Sequence, residues 1–114
     1  MHPDSIVAAV AAALGLSADV LRSTSRMQHV AQARQIAAYC LHRMRPDLSQ
    51  QAIAACLGLR NHTTVAYALK RAPAHLAALS AFSRRRLAAL LPDLIGTVFA
   101  LCAAAQRSTA RRAL

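Results

Sequence analysis

Gly58 separates two segments that each carry a helix signal, and that separation narrows the fold more than any other feature of the chain. Upstream, Ser49 is placed to cap a helix over Gln50 to Leu57, with Ile53 and Leu57 turned inward and Ala54 small. Downstream, Asn61 is placed to cap a second helix whose Val65, Ala68, Leu69 and Ala72 fall on one face. A small residue four positions before a glycine that supplies positive φ, followed by an amphipathic helix, is the pattern of a helix-turn-helix. The connection from Gly58 to Asn61 is longer than the minimal turn of that motif.

At about 100° per residue, the far side of the second helix carries Thr63, Tyr67, Lys70 and Arg71, while Asn61, His62 and Thr64 crowd its N-terminal tip. Short polar side chains at the tip and cations further along suit a helix that docks in a DNA major groove. The same pattern describes a solvated amphipathic helix with a polar first turn, and this helix alone does not decide between the two.

The rest of the chain reads as helices. Pro3 and Asp4 open a first helix to about Leu14, with Ile6, Val7, Val10 and Leu14 as its stripe and Gly15 as its stop; Ser17 caps a short second one through Leu21. The loop Arg22-Ser23-Thr24-Ser25-Arg26 has no apolar residue to anchor it. It is either an exposed connector or a mobile arm whose arginines reach phosphates or a minor groove. Gln28 to Met44 is the central core helix, with Val30, Ala33, Ala37, Cys40, Leu41 and Met44 on one stripe, Ile36 at its edge, and Arg34, Gln35, His42 and Arg43 off it. After Pro73 the pattern predicts helices over His75 to Leu91 and Leu94 to Gln106, split by Pro92-Asp93, and a frayed tail from Arg107. Leu76, Leu79, Phe82, Leu87, Leu90 and Leu91 imply packing on the core or on a second copy. The expectation is an all-α fold, with a helix-turn-helix domain over residues 1–73 and an accessory basic helical segment over residues 74–114.

Composition agrees. Hydrophobic residues make up 56% of 114, alanine foremost, with three Gly and four Pro. Fourteen Lys plus Arg face four acidic residues, all Asp, for a net charge of +10, which favours a polyanionic partner. The excess begins where the motifs begin: residues 1–21 hold two Asp and no Lys or Arg, whereas residues 22–71 hold eight cations and only Asp47. All the cations but Lys70 are arginine, suited to phosphates and guanine edges, although a GC-rich coding sequence yields the same bias.

Cys40, Cys56 and Cys102 are far apart among apolar neighbours and read as buried reduced thiols. The five His show no ligand-like spacing to them, so neither a metal nor another cofactor is expected. The apolar run Ile6 to Leu16 has no basic leader, and Leu94 to Ala105 is too short to span a bilayer. The expected location is cytoplasmic and nucleoid-associated. Four Asp, no Glu and no Ser/His/Asp spacing argue against an enzyme; His62 beside Thr63 and Thr64 is better explained as a groove contact than as a catalytic pair.

Two separated motifs carry a family resemblance. Arg60-Asn61-His62-Thr63-Thr64-Val65 stands against the signature Gly-Gly-Arg-Asp-His-Thr-Thr-Val, and Ser25-Arg26, Val30-Ala31, Ala33-Arg34-Gln35-Ile36-Ala37 and Tyr39 follow the segment before and within the family's long helix. From about Ser5 to Arg71 the chain resembles the C-terminal DNA-binding domain of the bacterial chromosomal replication initiator DnaA. The resemblance implies sequence-specific binding of double-stranded DNA at initiator-box-like sites, in regulation of replication initiation or of transcription. It implies Asn61, His62, Thr63 and Thr64 as major-groove readers, Arg26 as a minor-groove arginine, and Arg34 and Lys70 as phosphate contacts. Arg60 and Arg71 complete the candidate set.

Asn61 stands where the family has an Asp that accepts from a base amino group, and an amide both donates and accepts. Leu59 replaces the second glycine, and the loop around Pro46 to Ser49 is one residue longer. The chain holds no Gly-x-x-x-x-Gly-Lys-Ser/Thr, so it is expected to act as a stand-alone binding protein without an ATP-driven motor. The alternative is a helical protein-interaction or membrane-surface module using Arg84-Arg85-Arg86 and the apolar faces after Pro73, which also leaves open a homo-oligomer or protein partner there.

Overall fold

The computed structural model describes residues 2–91. Among the described residues six helices run in the order α1 (Pro3–Ala13), α2 (Ala18–Leu21), α3 (Gln28–Met44), α4 (Gln50–Cys56), α5 (His62–Ala77) and α6 (Ala81–Leu90). Local chemistry sets most of their starts. The Ser17, Ser49 and Ser80 hydroxyls accept the Val20, Ala52 and Ser83 N–H groups at 3.1, 3.1 and 3.2 Å, satisfying donors that each first turn leaves over. Pro3 opens α1, and Gly15 takes φ 74° just past its end. α3 alone begins without a side-chain cap, at Met27.

α3 is the axis of the fold. It packs against α1, α2, α4 and α5, and α1 in turn receives α6. The shared core draws Ile6, Val7 and Val10 from α1, Leu21 from α2, Ile36, Cys40 and Leu41 from α3, Ile53 and Leu57 around α4, and Val65 from α5. No polar side chain among the described residues is buried, so apolar burial, about 2 kcal/mol for each fully enclosed large side chain, is the main stabilising term. Burial pushes the Cys40 thiol up to about 12, which keeps it protonated and inert, while Cys56 is half-buried. No helix among the described residues is long and apolar enough to cross a membrane.

The expected break at Pro73 is corrected. α5 runs through that proline to Ala77, and the helix expected over His75 to Leu91 is instead the last turn of α5, a break at residues 78–80 and α6. A mid-helix proline costs about 3 kcal/mol because it has no N–H for the carbonyl four residues back. Here Ala72 and Leu76, on either side of it, are both fully buried and hold the helix in place. Packing does not divide at residue 73 either: Leu76, Leu87 and Leu91 belong to the same cluster as Ile6 and Leu41. Of the positions expected to pack on the core or on a second copy, Phe82 and Leu90 lie outside this core and are exposed, Phe82 to 63%. The predicted helix Leu94 to Gln106, the tail and Cys102 lie outside the described residues.

Cutting the chain after Pro73 therefore removes three buried leucines from the common core, and cooperative urea unfolding followed by circular dichroism should disappear. Leu87→Ala in the full chain should cost about 2–5 kcal/mol, against about 0.5 kcal/mol or less for Phe82→Ala. An unchanged unfolding midpoint after truncation would mean that α6 is an appendage.

Candidate nucleic-acid interface

Three features hold the turn between α4 and α5. Gly58 takes φ 68°, a region that side-chain-bearing residues seldom adopt, and a Cβ there would lie 2.5 Å from the Arg22 carbonyl oxygen. The Leu59 N–H donates to the Ala54 carbonyl at 2.8 Å, so the chain doubles back over the end of α4. Among the described residues only Gly15 and Gly58 have positive φ. Leu59 in place of a second glycine is thus compatible with the turn, and it packs half-buried against the core.

Beyond the turn, Asn61 caps α5: its Oδ1 accepts the Thr63 N–H at 3.0 Å. Val65 and Ala68 are buried, which fixes the rotation of the helix and leaves Asn61, His62, Thr63 and Thr64 all exposed at its tip. Arg60 is exposed just before them. Lys70 and Arg71 are exposed too, but Arg71 is nine residues beyond His62, about 13 Å along the helix axis. The Arg71 guanidinium carbon lies 5.9 Å from the centroid of the exposed Tyr67 ring, within cation-π range.

The loop over residues 22–26, expected as either an exposed connector or a mobile arm, is bonded to the body of the fold by two guanidinium groups. Arg34 Nε donates to the Leu21 carbonyl at 2.8 Å, and its Nη2 donates to the carbonyls of Ser23 at 2.8 Å and Ser25 at 3.3 Å. Arg22 lies half-buried along the fold; its Nε donates to the Cys56 carbonyl and its Nη2 pairs with Asp4 Oδ1, each at 3.0 Å. Serine turns complete the loop, with Ser23 Oγ donating to the Val20 carbonyl at 2.6 Å and Ser25 Oγ accepting the Met27 N–H at 3.3 Å. Arg26 stands exposed at the end of this hydrogen-bonded loop.

Arg34, expected on phosphate, thus has most of its donors engaged inside the fold, and partial burial lowers its pKa through desolvation. A cleft of about 230 Å³ lined by Arg34, Gln35, Leu59, Thr64 and Tyr67 joins the α3 side to the tip of α5. The bracing roles of Arg22 and Arg34 were not read from the sequence. One signal was present: Arg34 lies four residues after buried Val30 and three before buried Ala37, at the margin of the apolar stripe rather than opposite it.

Two of the acidic groups are paired with arginines. Asp4 is paired with Arg22 and Asp47 with Arg45, whose Nη2 lies 2.8 Å from Asp47 Oδ2. That hydrogen bond holds the Asp47 carboxyl below its usual pKa. No group of three His, Cys, Asp or Glu among the described residues could hold a metal ion.

Known proteins share this region. A family described as the bacterial DnaA protein helix-turn-helix matches residues 3–72. The chain is 41% identical over 68 residues to the chromosomal replication initiator protein DnaA of Gloeobacter violaceus, an alignment covering 60% of this chain and 15% of that protein. It is 43% identical over 65 residues to DnaA of a Picosynechococcus species, covering 57% and 14%, and 47% identical over 66 residues to DnaA of Cutibacterium acnes, covering 58% and 13%. The chain therefore spans only a small part of the length of these relatives.

Arg34→Ala should cost about 1–3 kcal/mol of stability by removing three charge-assisted bonds to the carbonyls of Leu21, Ser23 and Ser25. Amide hydrogen exchange should then accelerate at residues 22–26 before it does in α3. Arg34→Lys should not restore protection, since an ammonium cannot span three carbonyls as the planar guanidinium does.

Proposed function

The chain belongs to the bacterial DnaA helix-turn-helix family, and from that premise we propose that it binds double-stranded DNA sequence-specifically, at initiator-box-like sites, to regulate replication initiation or transcription. The observation that supports this reading is the exposed polar tip Asn61 to Thr64 at the start of α5, with a cleft running from Thr64 to Arg34, the residue that holds the loop ending at exposed Arg26. A helix tip offering short polar side chains reads base edges in a major groove, and an arginine on a hydrogen-bonded neighbouring loop suits the adjacent minor groove. Arg60, Lys70 and Arg71 flank the tip and suit phosphate contacts. The reading places the protein in the cytoplasm on nucleoid DNA, without a catalytic role.

The relatives' name, chromosomal replication initiator, supports a role at replication origins. The competing module built on Arg84 to Arg86 draws less support. Arg84 donates to the Ala77 carbonyl and Arg86 lies 5.6 Å from the centroid of the Phe82 ring, so part of that charge run has local partners.

Mobility shifts on a preferred duplex and on random DNA test the reading. Four contacts, from Arg26, Arg60, Lys70 and Arg71, imply a slope of log affinity against log salt of about −3 to −4. Affinity flat in salt would remove the electrostatic basis. His62→Ala should cost about 1–3 kcal/mol on the preferred site and little on random DNA. Arg26→Ala and Arg34→Ala should be non-additive, the double variant losing no more than the worse single one, because Arg34 acts through the loop. Additive losses, with a further drop of about one unit in the salt slope, would make Arg34 a phosphate contact in its own right.

A further inference from the structure

One side of α6 is used by the fold and the other is left exposed. Leu87 and Leu91 are buried, and the helix packs on α1. At about 100° per residue, Phe82, Arg85, Arg86, Ala89 and Leu90 fall on the opposite side, and all five are exposed. Phe82 keeps 63% of its surface even though the Arg86 guanidinium carbon lies 5.6 Å from its ring centroid. The sequence holds no acidic residue between Asp47 and Asp93, so α6 carries its arginines without a carboxylate on the same helix.

A cleft of about 210 Å³ adjoins the start of α6, lined by apolar Leu16, Ile36 and Leu79 and by polar Gln32, His75 and Ser83. Ser83 follows Phe82 in the chain and joins the cleft to the exposed face. An apolar cavity of about 150 Å³ holds a benzene ring, so this cleft has room for one aromatic ring, and its polar lining suits a ring with hydrogen-bonding edges. His75 presents a neutral imidazole there: its Nε2 lies 2.6 Å from Gln35 Oε1, and burial, with Arg71 nearby, lowers its pKa. A neutral imidazole suits a base edge better than a phosphate. The region lies beyond the far end of α5 from the Asn61 tip, and the 16 residues of α5 span about 24 Å.

We propose that the outer face of α6 and this cleft form a second nucleic-acid site, one that takes a single strand rather than a duplex. Phe82 stacks on one base, the cleft receives a neighbouring base, and Arg85 and Arg86 meet the phosphates. Aromatic platforms flanked by cations bind unpaired strands because every base offers a π face, which duplex stacking hides. The site stands apart from the duplex-binding reading above and does not depend on it. Other occupants fit this face less well. A second copy would set arginine against arginine, and a bilayer would find just Phe82 and Leu90 to insert among the large apolar side chains of α6.

The ring is the diagnostic group, because a chain of net charge +10 attracts any polyanion. Phe82→Tyr keeps a stacking face, whereas Phe82→Leu keeps apolar bulk and loses the face. Phe82 is exposed, so both variants should fold. Neither changes the charge. The double variant Arg85→Ala/Arg86→Ala removes the phosphate contacts and keeps the ring.

Fluorescence anisotropy of the full chain with short labelled oligothymidine DNA and oligouridine RNA strands decides the matter. Phe82→Leu and the double arginine variant should each weaken strand binding about fivefold or more, while Phe82→Tyr binds like the native chain. His62→Ala should leave strand binding unchanged, and an equimolar unlabelled duplex should not displace the strand. Either strand behaving in this way supports the site, and the tighter one identifies its sugar. Strand binding that ignores Phe82→Leu, falls with His62→Ala, or is displaced one for one by duplex overturns the proposal. It is equally overturned if neither strand binds, or if the chain sediments instead with phosphatidylglycerol vesicles and Phe82→Leu does so as well. Failure to bind any duplex would remove the reading above and leave this test intact.

Discussion

The Arg34 guanidinium, reaching from the body of α3 to the carbonyls of Leu21, Ser23 and Ser25, is the interaction on which the geometry of the exposed surface depends. A five-residue polar stretch with no apolar side chain has little reason to adopt one conformation, since ordering each residue costs about 1–2 kcal/mol. Three charge-assisted bonds from one planar donor offset part of that cost, two of them partly shielded from solvent. The price is desolvation of the guanidinium, visible in its lowered pKa. Because α3 is itself seated in the core through Ile36, Ala37, Cys40 and Leu41, the loop inherits the position of the least exposed helix in the fold.

Arg22 ties the same loop to the helix-turn-helix. Its side chain donates to the Cys56 carbonyl at the end of α4, while its own carbonyl lies against Gly58, close enough that a Cβ would not fit. The turn, the loop and the first helix thus meet at one residue, with Asp4 completing the contact. Both bracing arginines are half-buried and bonded to the fold, whereas Arg26, Arg60, Lys70 and Arg71 are exposed. Charge count alone does not distinguish the two groups; hydrogen-bond geometry does.

Features set by neighbours in sequence were legible in it. Ser17, Ser49 and Asn61 each cap a helix two or three residues downstream, and the period of Val65, Ala68 and Ala72 oriented α5 correctly because that face had to be buried. Features set by distant partners were not. Arg22 finds the Cys56 carbonyl 34 residues away, and the loop carbonyls bound by Arg34 lie 9 to 13 residues before it. No local pattern announces such pairs. Pro73 misled for a related reason: its local cost is certain, but the compensating burial of Ala72 and Leu76 exists only once the core is assembled. At Asn61 the residue type suggested a cap, and its Oδ1 makes one with the Thr63 N–H.

The central claim is that one surface, made of the braced loop and the tip of α5, meets duplex DNA. Backbone amide shifts of the isotope-labelled full chain, recorded as a duplex carrying its selected site is added, test this most directly. The account expects the large shifts to fall on residues 23–27 and 59–67, with α6 and the outer face of α1 unmoved. Shifts centred on Phe82 to Leu90 with the Asn61 to Thr64 tip silent would contradict it.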